Sequence, residues 1–312
     1  MEIILYKSTN PTNDSTSLTQ ALLYCSLASA GFVGSMYVFV PSKVALLERN
    51  DALQIKWRAA SCSIACIAAL TAYPMFFGAM VPYKMNVSTL LSDEIRACAG
   101  VLLNSSLLFV GPIAVTMMNV YDYLRRNQSL TLANFFQAYY EFYPRPIVNA
   151  ILRPSGNERW IYLRNLMFAP LTEEILFRGS IVSALARTTL STGSIVTIAP
   201  LFFGSAHIHH AVVKLRQGDS PLTVAIQTAV QFAYTSFFGS YASFAYLRSR
   251  SILAVTLSHS FCNAMGLPDL QFVRKGGHLY SYRMWLLAAH VGGVVAFGLT
   301  IDRLLPQHKA WT

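Results

Sequence analysis

Seven long stretches of this chain contain no Asp, Glu, Lys or Arg. They run Gln20–Val40, Ala59–Val81, Ala97–Val120, Ser194–Val213, Thr223–Leu247, Ser251–Leu267 and Met284–Ile301. A hydrocarbon core of about 30 Å is crossed by about 20 apolar residues in a helix, which most of these windows satisfy. An eighth window, Ile161–Ala186, is long and apolar but carries Arg164, Glu173, Glu174 and Arg178. Lipid offers no partners to backbone N–H and C=O groups, and the windows show no strand alternation, so each is predicted as a helix. The expected architecture is therefore all-α: a polytopic membrane protein with about eight transmembrane helices enclosing a polar cavity. Composition agrees. Of 312 residues, 54% are hydrophobic and 12% charged, with a mean hydropathy of +0.42. A soluble domain carries roughly 25% charged residues, and disorder demands far less apolar surface.

The windows divide into an N-terminal membrane region, residues 1–150, with about three spans, and a core, residues 151–312, with about five. The stretch Asn134–Ile147, rich in Phe and Tyr and broken by Pro144 and Pro146, is expected to lie in the interface. No internal repeat is evident. The first 19 residues are polar and the stretch from Gln20 is long enough to span, so it is expected to stay as an anchor rather than be cleaved. The net charge of +10 is scattered between apolar segments, as in loops flanking spans, and does not point to nucleic acid. Lys and Arg are more numerous in loops 41–58, 122–160, 214–222 and 268–283. The positive-inside rule turns those loops toward the cytosol and both termini away from it. Asn86-Val-Ser88 and Asn127-Gln-Ser129 match the glycosylation tripeptide but fall on opposite sides, so at most one is usable. The five cysteines all sit in apolar stretches without zinc-site spacing and read as small apolar residues.

The polar residues inside the windows carry the functional signal. Of fourteen acidic residues, only Glu173 and Glu174 fall within proposed spans. A charge near mid-bilayer costs about 2.5–3.5 kcal/mol on insertion scales and needs compensation. Glu174 and Arg178 are spaced i,i+4 with the acid first, the favourable order for a helical ion pair. Glu173 is rotated about 100° from Glu174 and faces elsewhere, free for chemistry. The bland alternative pairs both carboxylates with neighbouring helices. His207, His209 and His210 lie in a second window and His259 in a third. Phe203 and His207 are i,i+4, so ring packs beside imidazole. His259 and Asn263 are also i,i+4, placing two oxyanion donors on one face; the alternative for Asn263 is an interhelical hydrogen bond. His290 reads as a packing residue.

Other chemistries stay open on residue type. Histidines 207, 209 and 210, or Glu173 with His207 and His259, contain zinc-ligand types, although the His-Glu-x-x-His pattern is absent. Ser205 and Ser258 adjoin histidines in sequence, but adjacent helical positions do not face each other. Cys262, three residues from His259, sits in an apolar segment that disfavours a thiolate.

Three segments carry a family likeness: Thr172-Glu-Glu-Ile-Leu-Phe-Arg178, Phe203-Gly-Ser-Ala-His-Ile-His-His210 and His259-Ser-Phe-Cys-Asn-Ala-Met-Gly-Leu-Pro268. In this order they resemble the motifs of the type II CAAX prenyl endopeptidases, the Ras and a-factor converting enzyme family, in its eukaryotic branch. A wider group of bacteriocin-immunity-type membrane proteases shares the pattern. The likeness covers roughly residues 160–270, with no departure at the motif positions. It implies an endopeptidase of the endoplasmic reticulum membrane, its cavity open to the cytosol. Such an enzyme removes the C-terminal tripeptide from prenylated CAAX proteins such as Ras-like GTPases or a prenylated peptide pheromone. The resemblance assigns Glu173 as general base, His207 to the water, and His259 and Asn263 to the oxyanion, with Glu174, Arg178 and Phe203 in support and no cofactor. Two other readings remain at this stage: a zinc-dependent membrane protease, and a non-catalytic scaffold or transporter with a polar pocket.

Overall fold

The computed structural model describes residues 2–8, 16–78, 80–128, 130–142 and 158–306. These residues are helical almost throughout. The exception is a two-stranded antiparallel ribbon, β1 (Glu2–Ser8) with β2 (Met80–Asn86), in which Glu2 faces Asn86 and Ser8 faces Met80. The first helix, α1 (Leu18–Val38), starts where the Ser17 hydroxyl accepts the Gln20 N–H. The second, α2 (Ala52–Phe77), is capped by Asp51, which accepts the N–H groups of Leu53 and Gln54. Gly78 ends it at a φ of +77°, a conformation that costs glycine nothing.

The window predicted as one span over Ala97–Val120 is broken. Helix α3 (Val87–Leu107) and helix α4 (Val110–Arg126) meet at a bend of 66°. Pro112 explains the break: it has no N–H to donate to the preceding turn, and its ring clashes with the carbonyl four residues back, so it is tolerated only in a helix's first turn. The expected interfacial segment forms α5 (Leu132–Phe142), 11 residues long and too short to span; residues 143–147 of that prediction lie outside the described residues. It packs Phe135, Ala138 and Tyr139 on Val120 and Leu124 of α4.

Residues 158–185 form the central helix, α6. It alternates α turns with two π segments, Arg164–Phe168 and Ile175–Val182, which flank Ala169–Glu174. Leu176, Ile181, Val182, Ala184 and Leu185 are fully buried, so the C-terminal part of α6 is encased by protein rather than lipid. Beyond it lie α7 (Thr192–Ala206), α8 (His209–Arg216), α9 (Pro221–Ser249), α10 (Ile252–Met265) and α11 (Arg283–Leu304).

By length and composition, four described helical stretches are able to cross a membrane: Leu18–Val38, Ala52–Phe77, Thr192–Arg216 and Tyr280–Leu304. A fifth counts if the bent α3–α4 pair is one span. The expected count of about eight is not reached. The α10 helix has only 14 residues, α9 is long but interspersed with Gln, Ser, Thr and Tyr, and α6 carries charge. Outward faces are nonetheless rich in exposed Leu, Ile and Val, including Leu23, Leu27, Ile64, Ile67, Ile226 and Leu299, as expected of a lipid-facing surface.

Helices approach closely where side chains are small. A Cβ at Gly204 of α7 would lie 2.8 Å from both the Phe232 ring and the Ser236 hydroxyl of α9, and one at Gly239 would lie 3.1 Å from Pro200. Polar contacts join the rest. Asn104 of α3 donates to the Phe297 carbonyl of α11 at 3.1 Å, and Ser105 links Ser258 of α10 with Tyr241 of α9. The N-terminal helices brace α6: Tyr24 bonds both Ser180 and the Ala69 carbonyl, Cys66 donates to the Thr172 carbonyl at 3.2 Å, and Tyr73 to the Ser183 carbonyl at 3.3 Å.

Candidate active site

The two adjacent glutamates stand in the short α turn between the π segments of α6. Successive helical residues point about 100° apart, and this separation sends the two carboxylates to different surroundings. Glu174 is fully buried. Its Oε1 accepts Arg178 Nη1 at 3.1 Å, one turn on, and His259 Nδ1 from α10 at 2.7 Å. Its Oε2 has no hydrogen-bond partner among the described residues. Arg178, 1% exposed, also donates to the Gly239 carbonyl and lies over the Phe203 ring at 4.7 Å, a cation–π arrangement. Glu173, unlike Glu174, lines a cavity of about 120 Å³. That volume holds several water molecules, given polar walls.

His259 joins the two carboxylates. With Nδ1 held by Glu174, its Nε2 faces Glu173 Oε2 at 3.8 Å. This is too long for a direct hydrogen bond and short enough for both atoms to bond one intervening oxygen. The Nδ1–carboxylate bond fixes the ring's orientation and directs Nε2 to the Glu173 side. His207 lines the same cavity from the C-terminal cap of α7, where helix hydrogen bonding stops. Its Nδ1 is tied to the Phe203 carbonyl at 2.8 Å, leaving Nε2 uncommitted. Phe203 is the partition of the site: its ring touches those of His207 (4.9 Å between centroids), Phe177 (5.0 Å) and His259 (6.2 Å).

Asn263 is not brought into this group. It lies one turn beyond His259 on α10, but its side chain is exposed and donates to the Asn165 carbonyl at 2.9 Å, at the first π segment of α6. The seryl candidates are engaged elsewhere: Ser205 with the Phe202 carbonyl and Ser258 with Ser105. His209 is bonded to the Ala206 carbonyl and packs against His210, the ring centroids 4.0 Å apart and the planes tilted by 45°. No group of three or more His, Cys, Asp or Glu side chains among the described residues is arranged to hold a metal ion.

The family model described as type II CAAX prenyl endopeptidase Rce1-like matches residues 155–265. Among curated proteins, the chain is similar to the probable CAAX prenyl protease 2 of Schizosaccharomyces pombe, 31% identical over 244 residues, covering 78% of this chain and 79% of that protein. This chain belongs to the CAAX prenyl protease 2 family. The human member, CAAX prenyl protease 2, is 34% identical over 204 residues, which span 65% of this chain but only 56% of the human protein. The Arabidopsis thaliana member is 24% identical over 296 residues, 92% of this chain and 91% of its own. No solved structure matches.

The segment matching the family model contains Glu173, Glu174, Arg178, Phe203, His207, His259 and Asn263. Two further cavity residues, Arg49 and Arg58, lie outside it, and a third, Arg164, lies within it. Sequence reading counted these arginines only as loop or span charges. The available signal was spacing: Arg58, Cys62 and Cys66 recur every fourth residue, on one face of α2. Desolvation, then the charge of Arg58, push the Arg49 guanidinium below its ordinary pKa.

Proposed function

We propose that this chain is a membrane-embedded endopeptidase that removes the C-terminal tripeptide from prenylated CAAX proteins, using water activated by Glu173. The observation that carries the proposal is the Glu173–His259–Glu174 array, whose Glu173 lines a small cavity together with His207 among membrane helices. The names of the relatives support the substrate class.

In this reading Glu173 takes a proton from water and the hydroxide oxygen attacks the scissile carbonyl. The carbonyl oxygen gains negative charge and is met by His259 Nε2–H, whose ring is oriented by the Nδ1 contact with Glu174. His207, on the same cavity, orients the water. Glu173 then returns the proton to the departing amine as the C–N bond breaks. Arg178 holds the Glu174 carboxylate in place through their 3.1 Å contact, and Phe203 packs against both histidine rings. Asn263 is a positioning residue, fixing the π segment at Asn165 and so the placement of the glutamates. The reaction so drawn uses side chains alone, without a cofactor.

A prenyl chain entering from the bilayer supplies about 0.8 kcal/mol per buried methylene, which fits the apolar outer faces. The CAAX tail is cytosolic, so the cavity opens to that side, at the endoplasmic reticulum membrane. The partners are Ras-like GTPases, prenylated pheromone precursors or similar proteins, together with the bilayer.

The test is tripeptide release from a farnesylated peptide by purified protein in proteoliposomes. A general base contributes about 10²–10⁴-fold. Glu173→Gln is expected to lose that factor in kcat while the protein stays folded, since among the described residues Glu173 makes no hydrogen bond that supports the core. Near-wild-type turnover of Glu173→Gln, or no release by wild type, would sink the proposal.

A further inference from the structure

Three guanidinium groups, of Arg49, Arg58 and Arg164, line the cavity that Glu173 enters. Arg164 bridges them to the preceding loop: its Nη1 donates to the Arg49 carbonyl and the Asn50 side chain, both at 3.1 Å, and its Nε to Asn165 at 3.0 Å. Among the described residues none of the three forms an ion pair with Asp or Glu. Arg58 Nε is buried without any hydrogen-bond partner. Arg49 and Arg58 sit close enough to repel. Like charges gathered without an ion-paired acid are destabilising unless an anion joins them.

We propose that Arg49, Arg58 and Arg164 form a binding site for the free α-carboxylate at the end of the peptide substrate, and so measure where the chain is cut. This rests on the peptidase reading given above. The spacing comes from α2. Arg58, Cys62 and Cys66 occupy one face, and Cys66 touches the Thr172 carbonyl, immediately before Glu173. Eight residues of helix rise about 12 Å. Three residues of extended peptide reach about 10 Å. A carboxylate held at the Arg58 level therefore sets the bond three residues upstream beside Glu173. Guanidinium groups suit the role because their paired N–H donors match both carboxylate oxygens. A phospholipid phosphate carries the same charge, but a small cavity ending in Glu173 and three histidines fits a peptide end better than a headgroup with two acyl chains.

The experiment compares two farnesylated peptides, identical except that one ends in a carboxylate and the other in a carboxamide. Binding is read by fluorescence anisotropy on full-length Glu173→Gln protein, which does not turn the peptide over, and cleavage is read on wild type. The carboxylate peptide is expected to bind at least about tenfold more tightly, the size of a lost charge-assisted hydrogen bond. That preference should vanish when Arg58→Gln is added, weaken with Arg164→Gln, and survive in part with Arg58→Lys. Equal binding of the two peptides overturns the proposal. So does an Arg58→Gln variant that weakens both equally, which marks a structural role. So does a response of the arginine variants to anionic phospholipid alone, with both peptides bound alike. A carboxylate preference without cleavage by wild type leaves the anion site standing and removes the peptidase reading. Absence of any binding by wild type removes both.

Discussion

Removing the Arg178 guanidinium tests whether the site is an electrostatic unit. Arg178 and Glu174 are buried to within 1% and sit 3.1 Å apart. At an effective dielectric of about 20, unit charges at that separation attract by about 5 kcal/mol, close to the 3–5 kcal/mol typical when one partner of a buried pair is deleted. Arg178→Met leaves the Glu174 charge buried against His259 alone, so a loss of about 3–5 kcal/mol is expected. Glu174→Gln should cost a similar amount by stranding Arg178. The double variant removes both charges and should cost at least about 2 kcal/mol less than the sum of the singles, because each single value is mostly the penalty of an orphaned charge. The assay is SDS-driven unfolding of purified protein, followed by labelling of Cys25, Cys62 and Cys66, which are free and buried. Additive single and double variants would refute the reasoning: the two groups would then be acting independently.

Further outcomes follow from the same geometry. Asn263→Ala should lower kcat by less than about tenfold, because its amide is bound to Asn165; a loss of about 10²–10³ would instead mark an oxyanion donor. Gly204→Val should destabilise by about 1–3 kcal/mol through overpacking, since even a Cβ meets Phe232 and Ser236 at 2.8 Å; an unchanged SDS midpoint would show that α7 and α9 yield easily. Exhaustive treatment with a zinc chelator should leave tripeptide release intact, as judged by activity alongside elemental analysis. Loss of activity restored by stoichiometric zinc would favour the metal-dependent alternative.

Much of the architecture was legible because lipid removes choices. A charge-free run of 20 residues has one satisfactory backbone conformation, so the helices at Leu18–Val38, Ala52–Phe77 and Arg283–Leu304 follow from the windows read in the chain. The 66° bend near Pro112 was not read, although the proline is visible, because a window of hydropathy averages over a single missing N–H. The β1–β2 ribbon was also missed. It joins segments more than seventy residues apart, and no local pattern records that pairing.

The sequence by itself determined which side chains are costly: two adjacent glutamates within an apolar run, with Arg178 one turn away to share the charge. Spacing along one helix is fixed by 3.6 residues per turn, so the Glu174–Arg178 pair and the divergence of Glu173 were readable from numbers alone. Only the tertiary structure decided which partner completes the group. His259 reaches Glu174 across eighty-five residues, whereas Asn263, on the same helix, turns to Asn165. The arginines of the cavity became neighbours only when α2 packed against α6. Contacts between helices depend on packing angle and on small residues such as Gly204 and Gly239, which no period within a single segment encodes.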